Sequence, residues 1–269
     1  MRFLEVDRVR DASSDALEAM YRGDGDGLII HHAFDPDEMA QMVAHLESSG
    51  GGYHWDLQEV ADPQVVQMRV LGRTLTPVAG DRFDLDEYAT IGEATRTIIT
   101  GQWPGFFGQL ERLTQQLSGG RPVRRVQANG RAYGPATIRH LPVGCQIPVH
   151  CGLFFMETAG YRELMGALDD TSQLSWFVPM QTPEEGGELV IYDLAWGDAD
   201  VPRIGSMYNP MEIERWPSVR IRPPVGSLLL FDGGRWFHKV SPIGGGRDRW
   251  TVGGFLGFTR AMDRLVYWS

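Results

Sequence analysis

The second half of the chain is a series of short apolar runs cut by turns. The runs fall at residues 123–126, 137–141, 147–155, 174–179, 188–192, 219–221, 227–231, 238–240 and 250–258. Most are bounded by Gly, Pro or Asp, the punctuation of strands. So many short strands predict a sandwich or a closed double-sheet roll. The first half has a helical period instead. Asp35-Pro36-Asp37-Glu38 is a helix start, and Met39, Met42, Val43 and Leu46 follow on one face. Gly50-Gly51-Gly52 ends that helix. Residues 86–118 predict one or two more, with Ile91, Ala94, Ile98 and Ile99, then Phe106, Phe107, Leu110, Leu113 and Leu117. Gly101-Gln102-Trp103-Pro104-Gly105 interrupts them, and Gly119-Gly120 closes this half. The expectation is one domain, 1–269, in which a mostly helical part, 1–120, buttresses a β core, 121–269. No repeat or low-complexity segment interrupts it. Residues 197–216 read as a long loop of the kind that often serves as a lid.

Charge narrows the partners. The net charge of −10 opposes a broad nucleic-acid surface, which needs a basic face. It leaves room for a small anion held by a few arginines; Lys239 is the single lysine. No apolar run reaches the ~20 residues that cross a bilayer. The charged start, Met1-Arg2-Phe3-Leu4-Glu5, lacks a signal-peptide core. The expected location is cytoplasmic, with no membrane partner. Cys145 and Cys151 share one strand-like segment, which fits reduced thiols better than a disulfide.

The chemistry gathers around two histidines. His150-Cys151-Gly152 lies in the apolar run 147–155, and His238 follows the run 227–231 and the turn Gly233-Gly234. Eleven residues later comes Arg249-Trp250-Thr251. Histidines on different strands can meet when a roll brings its two sheets together, and paired imidazoles suit Fe(II). The planar fork of Arg249 can grip a carboxylate, and Thr251 faces the same way on a strand. Arg247 is a rival, because Gly244-Gly245-Gly246 leaves the register open. Where an iron oxygenase would carry a carboxylate, this chain has Gly152. Each residue also has a plainer reading. A single histidine among seven is usually a surface or core residue, and an Arg at a strand start is usually ion-paired. A strand Gly often marks a bulge. Glu157, Asp169 or Glu188 could supply a carboxylate from elsewhere.

These residues carry a resemblance. The chain resembles the Fe(II)/2-oxoglutarate oxygenases, which show His-x-Asp/Glu, a distal His, and Arg-x-Ser/Thr. It looks most like the carrier-independent halogenases of the welwitindolinone/hapalindole type. The similarity is densest at residues 135–139 (PATIR), 147–152 (IPVHCG), 172–179 (SQLSWFVP), 186–190 (GGELV) and 228–238 (LLLFDGGRWFH), with Tyr267-Trp268-Ser269 at the end. It implies a mainly β fold with a helical buttress and a double-stranded β-helix (jelly-roll, cupin-like) core. It implies Fe(II) on His150 and His238, chloride at the position Gly152 vacates, 2-oxoglutarate on Arg249 and Thr251, and O₂ as oxidant. Ser175 matches a serine that orients the oxidising group in those halogenases, and His140 matches a position near the co-substrate. No carrier protein is implied.

The substrate pocket differs from the alkaloid enzymes at Phe154-Phe155, at Trp176 and in the long loop. An actinobacterial branch similar to this chain chlorinates adenine nucleotides such as 2′-deoxyadenosine monophosphate in nucleoside antibiotic biosynthesis. Arg139, Arg203 and Arg220 are candidate phosphate contacts. The alternatives are an indole-terpenoid halogenase, a hydroxylase, and a non-catalytic jelly-roll binding protein.

Overall fold

The structure, a computed structural model, describes residues 1–49, 53, 55–57, 68–75, 83–156, 158–166, 168, 173–204 and 207–269. Among these, ten strands form a large sheet. Its main path runs Phe3–Val6, Gly27–Ile30, Leu228–Phe231, Leu174–Gln181, Arg249–Phe258, Thr137–Leu141, Arg69–Leu71 and Trp55–Leu57. Leu265–Trp268 extends it from Arg249–Phe258, and Val123–Arg125 pairs with Leu265–Trp268. A smaller sheet orders Ser218–Ile221, Leu189–Ala195, Trp236–Val240 and Ile147–His150. Two facing sheets backed by helices make the expected mainly β, double-stranded β-helix core.

Alternation along the large sheet sorts residues between two environments. Leu174, Trp176 and Val178 join Leu228, Leu230 and Leu256 in a core shared with helix residues Met39, Met42, Phe106 and Leu110. Ser175 and Phe177 turn the other way, toward the small sheet. The helices of that buttress have clear stops and starts. Pro36–Ser48 begins after Asp35, whose carboxylate accepts the Asp37 N–H at 2.9 Å with Pro36 in the first turn. Leu85–Gln102 begins after Asp84, which accepts N–H bonds from Asp86 and Glu87. Phe106–Leu117 follows the expected break.

The first 120 residues are less helical than expected. Phe3–Val6 and Gly27–Ile30 pair in parallel and lengthen one edge of the large sheet, while Arg69–Leu71 and Trp55–Leu57 lengthen the other. The run 147–155 also divides. Strand pairing stops at His150, and Gly152–Phe155 is a 3₁₀ turn. Residues 50–52, Glu157 and Asp169 lie outside the described residues. The loop 197–216 holds a small hairpin, Arg203–Ile204 with Met207–Tyr208, and the short helix Pro210–Ile213.

Candidate active site

A cavity of about 260 Å³ opens between the sheets, lined by residues from both, among them His150, His238, Ser175, Arg139, Arg249 and Thr251. His150 and His238 do not come from opposite sheets. They sit on neighbouring strands of the small sheet, directly paired in register. Their rings lie 4.2 Å apart between centroids.

The two imidazoles are held in the same way. His150 Nδ1 lies 2.8 Å from the carbonyl of Pro148, and His238 Nδ1 lies 2.8 Å from that of Trp236. A carbonyl only accepts, so each Nδ1 carries its proton and donates it. Both Nε2 lone pairs are left for another partner, the arrangement a metal ligand needs. Burial pushes His150 down to about 4 and His238 well below its ordinary range, His150 adding to the latter effect. Both rings are therefore neutral at physiological pH.

Gly152 faces this pair without a side chain. Its backbone stays outside the left-handed region, so conformation does not demand glycine. Space does. A Cβ there would stand 2.4 Å from Gln173 Nε2 and 3.0 Å from the Cα of Gly234. The close approach is locked by hydrogen bonds from the Gly152 and Leu153 N–H groups to the Gly233 and Gly234 carbonyls, at 2.8 and 2.9 Å. Among the described residues, no group of three or more His, Cys, Asp or Glu is placed to hold a metal ion. Glu188 is not a hidden third ligand: it sits outside the cavity, bonded to Ser241 and paired with Arg222 at 2.7 Å.

The cations divide by strand parity. Arg249 is buried in the cavity, with its guanidinium 5.4 Å from the Phe177 ring centroid and Thr251 beside it. Burial, with Arg139 nearby, pulls Arg249 down to about 10. Arg247 is exposed in the preceding loop. Arg139 pairs across the sheet with Thr251 and also faces the cavity. Its Nε is buried without a hydrogen-bond partner, and burial lowers its pKa. His140, expected near the co-substrate, points to the opposite face. It stacks on Trp250 at 4.2 Å and bonds Asp248 at 2.8 Å. One residue of offset on a strand is enough to exchange the two sides.

The full length of the chain, residues 1–269, matches the family model described as carrier-protein-independent halogenase WelO5. The chain belongs to that family. It is an Fe(II)/2-oxoglutarate-dependent oxidoreductase, a class whose reactions use O₂, with chloride as the further co-substrate in halogenases. No curated protein matches the sequence. Among solved structures, the carbocyclase SnoK from nogalamycin biosynthesis is similar over 93% of this chain and 88% of its own, with TM-score 0.55 and 12% identity. An N-substituted L-amino acid dioxygenase from Burkholderia ambifaria AMMD is similar over 95% and 91%, with TM-score 0.53 and 17% identity. A prolyl hydroxylase from Trichoplax adhaerens is similar over 95% and 92%, with TM-score 0.52 and 14% identity. These likenesses establish the shared fold.

The family enzyme's residues fit the groups its chemistry requires. Two neutral imidazoles with free Nε2 atoms suit Fe(II). A buried guanidinium beside a threonine hydroxyl suits the far carboxylate of 2-oxoglutarate. Other features were not legible in advance. Gln173, Tyr161, Phe177 and Tyr208 line the cavity, and Tyr208 reaches it from the long loop through a hydroxyl bond to the Val149 carbonyl at 3.1 Å. Phe155 lines the cavity, whereas Phe154 packs against Trp196 and Tyr208. Among the described residues, no helix is long and apolar enough to cross a membrane.

Proposed function

We propose that this enzyme transfers chloride to an unactivated carbon of a free anionic small molecule, a nucleotide of the 2′-deoxyadenosine 5′-monophosphate type. Halogen transfer rests on one observation: two free imidazole nitrogens with glycine, not a carboxylate, in the third ligand position. Iron bound there with 2-oxoglutarate and O₂ would supply the oxidant that removes a hydrogen atom from the substrate. The protein's work is placement. His150 and His238 would hold the metal, and Arg249 with Thr251 would orient the co-substrate. The Ser175 hydroxyl, on the facing sheet, would keep the oxidising group turned so that the carbon radical meets halide rather than hydroxide. A preference of ~1.4 kcal/mol gives a tenfold product ratio.

Arg139 supports an anionic substrate. The cavity holds two guanidiniums, Arg249 buried and Arg139 half-buried with its Nε buried and unbonded, and neither forms a salt bridge among the described residues. A cation drawn out of water without a partner is costly, so each calls for an anion. Arg249 with Thr251 accounts for the co-substrate; Arg139 remains for a phosphate. The other candidates are engaged elsewhere. Arg203 lies over the Trp196 ring at 5.6 Å, and Arg220 is exposed beside Glu188 at 3.7 Å.

The test is mass spectrometry of an aerobic reaction with Fe(II), 2-oxoglutarate, chloride and the nucleotide. The expected product shows the chlorine isotope doublet, and bromine's when bromide replaces chloride. Oxygen insertion alone would make the enzyme a hydroxylase. Turnover of an indole-terpenoid but not the nucleotide would overturn the substrate. Arg139→Ala should raise KM for the nucleotide and leave 2-oxoglutarate binding unchanged; the reverse would assign Arg139 to the co-substrate.

A further inference from the structure

Gln173 fills the space that a carboxylate at position 152 would need. Its amide nitrogen lies 2.4 Å, and its Cδ 2.9 Å, from where a Cβ on Gly152 would stand. It precedes the strand Leu174–Gln181 and shares a face with Ser175, two residues on. The backbone holds it in place, since the Gly234 N–H donates to the Gln173 carbonyl at 2.9 Å. The side chain is buried, yet its Oε1 has no hydrogen-bond partner. Packing alone does not call for an amide here. A buried polar atom left unsatisfied costs stability, and an aliphatic side chain would fill the same volume without that cost. The amide carries two N–H donors. The amide nitrogen, which lies against the space left by Gly152, is placed to donate to an anion seated there.

We propose that the Gln173 amide is the halide-recognition group of this site, donating a hydrogen bond to the chloride that takes the place of the missing carboxylate. Gly152 and Gln173 then form a matched exchange. The glycine removes the anionic ligand, and the glutamine supplies a neutral donor in the vacated volume. This inference rests on the halogen-transfer reading above.

The test is an anaerobic titration of the Fe(II)-loaded, 2-oxoglutarate-bound enzyme with chloride and with bromide, read from the visible charge-transfer band. In the unsubstituted enzyme the band should shift saturably with halide. Gln173→Ala should raise the chloride Kd tenfold or more, equivalent to about 1.4 kcal/mol, with 2-oxoglutarate affinity within twofold. Bromide, the weaker acceptor, should lose less. Gln173→Glu keeps the shape and puts a negative charge against the halide, so halide binding should vanish while 2-oxoglutarate still binds. It also covers the case in which the alanine variant fails to fold. Chloride affinity within twofold of the parent in a folded variant would overturn the assignment, as would a parallel loss of 2-oxoglutarate affinity. No halide response in the unsubstituted enzyme is a different failure: it would remove the halogen-transfer reading itself, and this inference with it.

Discussion

Replacing Gly152 by Asp would restore the carboxylate that iron oxygenases carry, but this fold has already used the space. The first added atom would meet Gln173 Nε2 at 2.4 Å and the backbone of Gly234 at 3.0 Å. The amide can swing aside; the Gly234 backbone is tied to Leu153 and to Gln173 and cannot do so freely. Overpacking of this kind costs ~1–3 kcal/mol. The metal-free Gly152→Asp protein should therefore be less stable by about that much in urea unfolding. Gln173→Ala opens the space, so Gly152→Asp should cost at least ~1 kcal/mol less in that background, a coupling measured by the double-mutant cycle. In turnover, Gly152→Asp should lose chlorination. A loss of stability below ~0.5 kcal/mol, or strict additivity with Gln173→Ala, would refute the steric argument.

Other outcomes follow from single residues. Arg249→Ala should weaken 2-oxoglutarate binding at least tenfold by calorimetry, since hydrogen bonds to a charged group contribute ~1.5–3 kcal/mol; Arg247→Ala, in an exposed loop, should not. Ser175→Ala should move product from chlorinated toward hydroxylated, read by mass spectrometry, with 2-oxoglutarate consumption retained. Asp232 gives a pH signature: burial raises it from 3.8 to about 6, against the pull of Arg235. Between those values the folded state holds the proton and the unfolded state does not, so this group's contribution to stability falls as pH rises, by about 3 kcal/mol in total. Asp232→Asn should flatten that component of the unfolding free energy between pH 4 and about pH 7; an unchanged pH profile would count against it.

The parts of the fold set by local alternation were readable from the chain. Thr137–Leu141 was expected over the same residues, and Arg249–Phe258 within one residue, because both strands alternate between the helix-packed core and the cavity. The helix starts at Asp35 and near residue 85 follow from side-chain caps. Phe3–Val6 was not legible: only four residues long, it carries Glu5 and exposes Leu4 on a sheet edge. The apolar run 147–155 hid the turn after His150, because it lacks a clean period-two alternation to mark where the strand stops. The site divides in the same way. The His150, His238 and Arg249 positions were marked by spacing, and the structure places all three side chains at one cavity. Arg139, a candidate phosphate contact in the sequence, faces the cavity, whereas His140, one residue on, turns to the opposite face. Gln173 could not be found, since its meaning lies in a contact with Gly152 that only the folded chain creates.

His150 ends an edge strand whose only partner in its sheet, among the described residues, is the strand bearing His238. A metal held by both rings would act as a clasp across that single seam, fastening the rim of the small sheet to its interior. Loading the metal should then slow amide hydrogen exchange at Ile147–His150 more than at the distant Ser218–Ile221 rim. The reaction centre and the seam that fastens this edge strand to its sheet would be one and the same place.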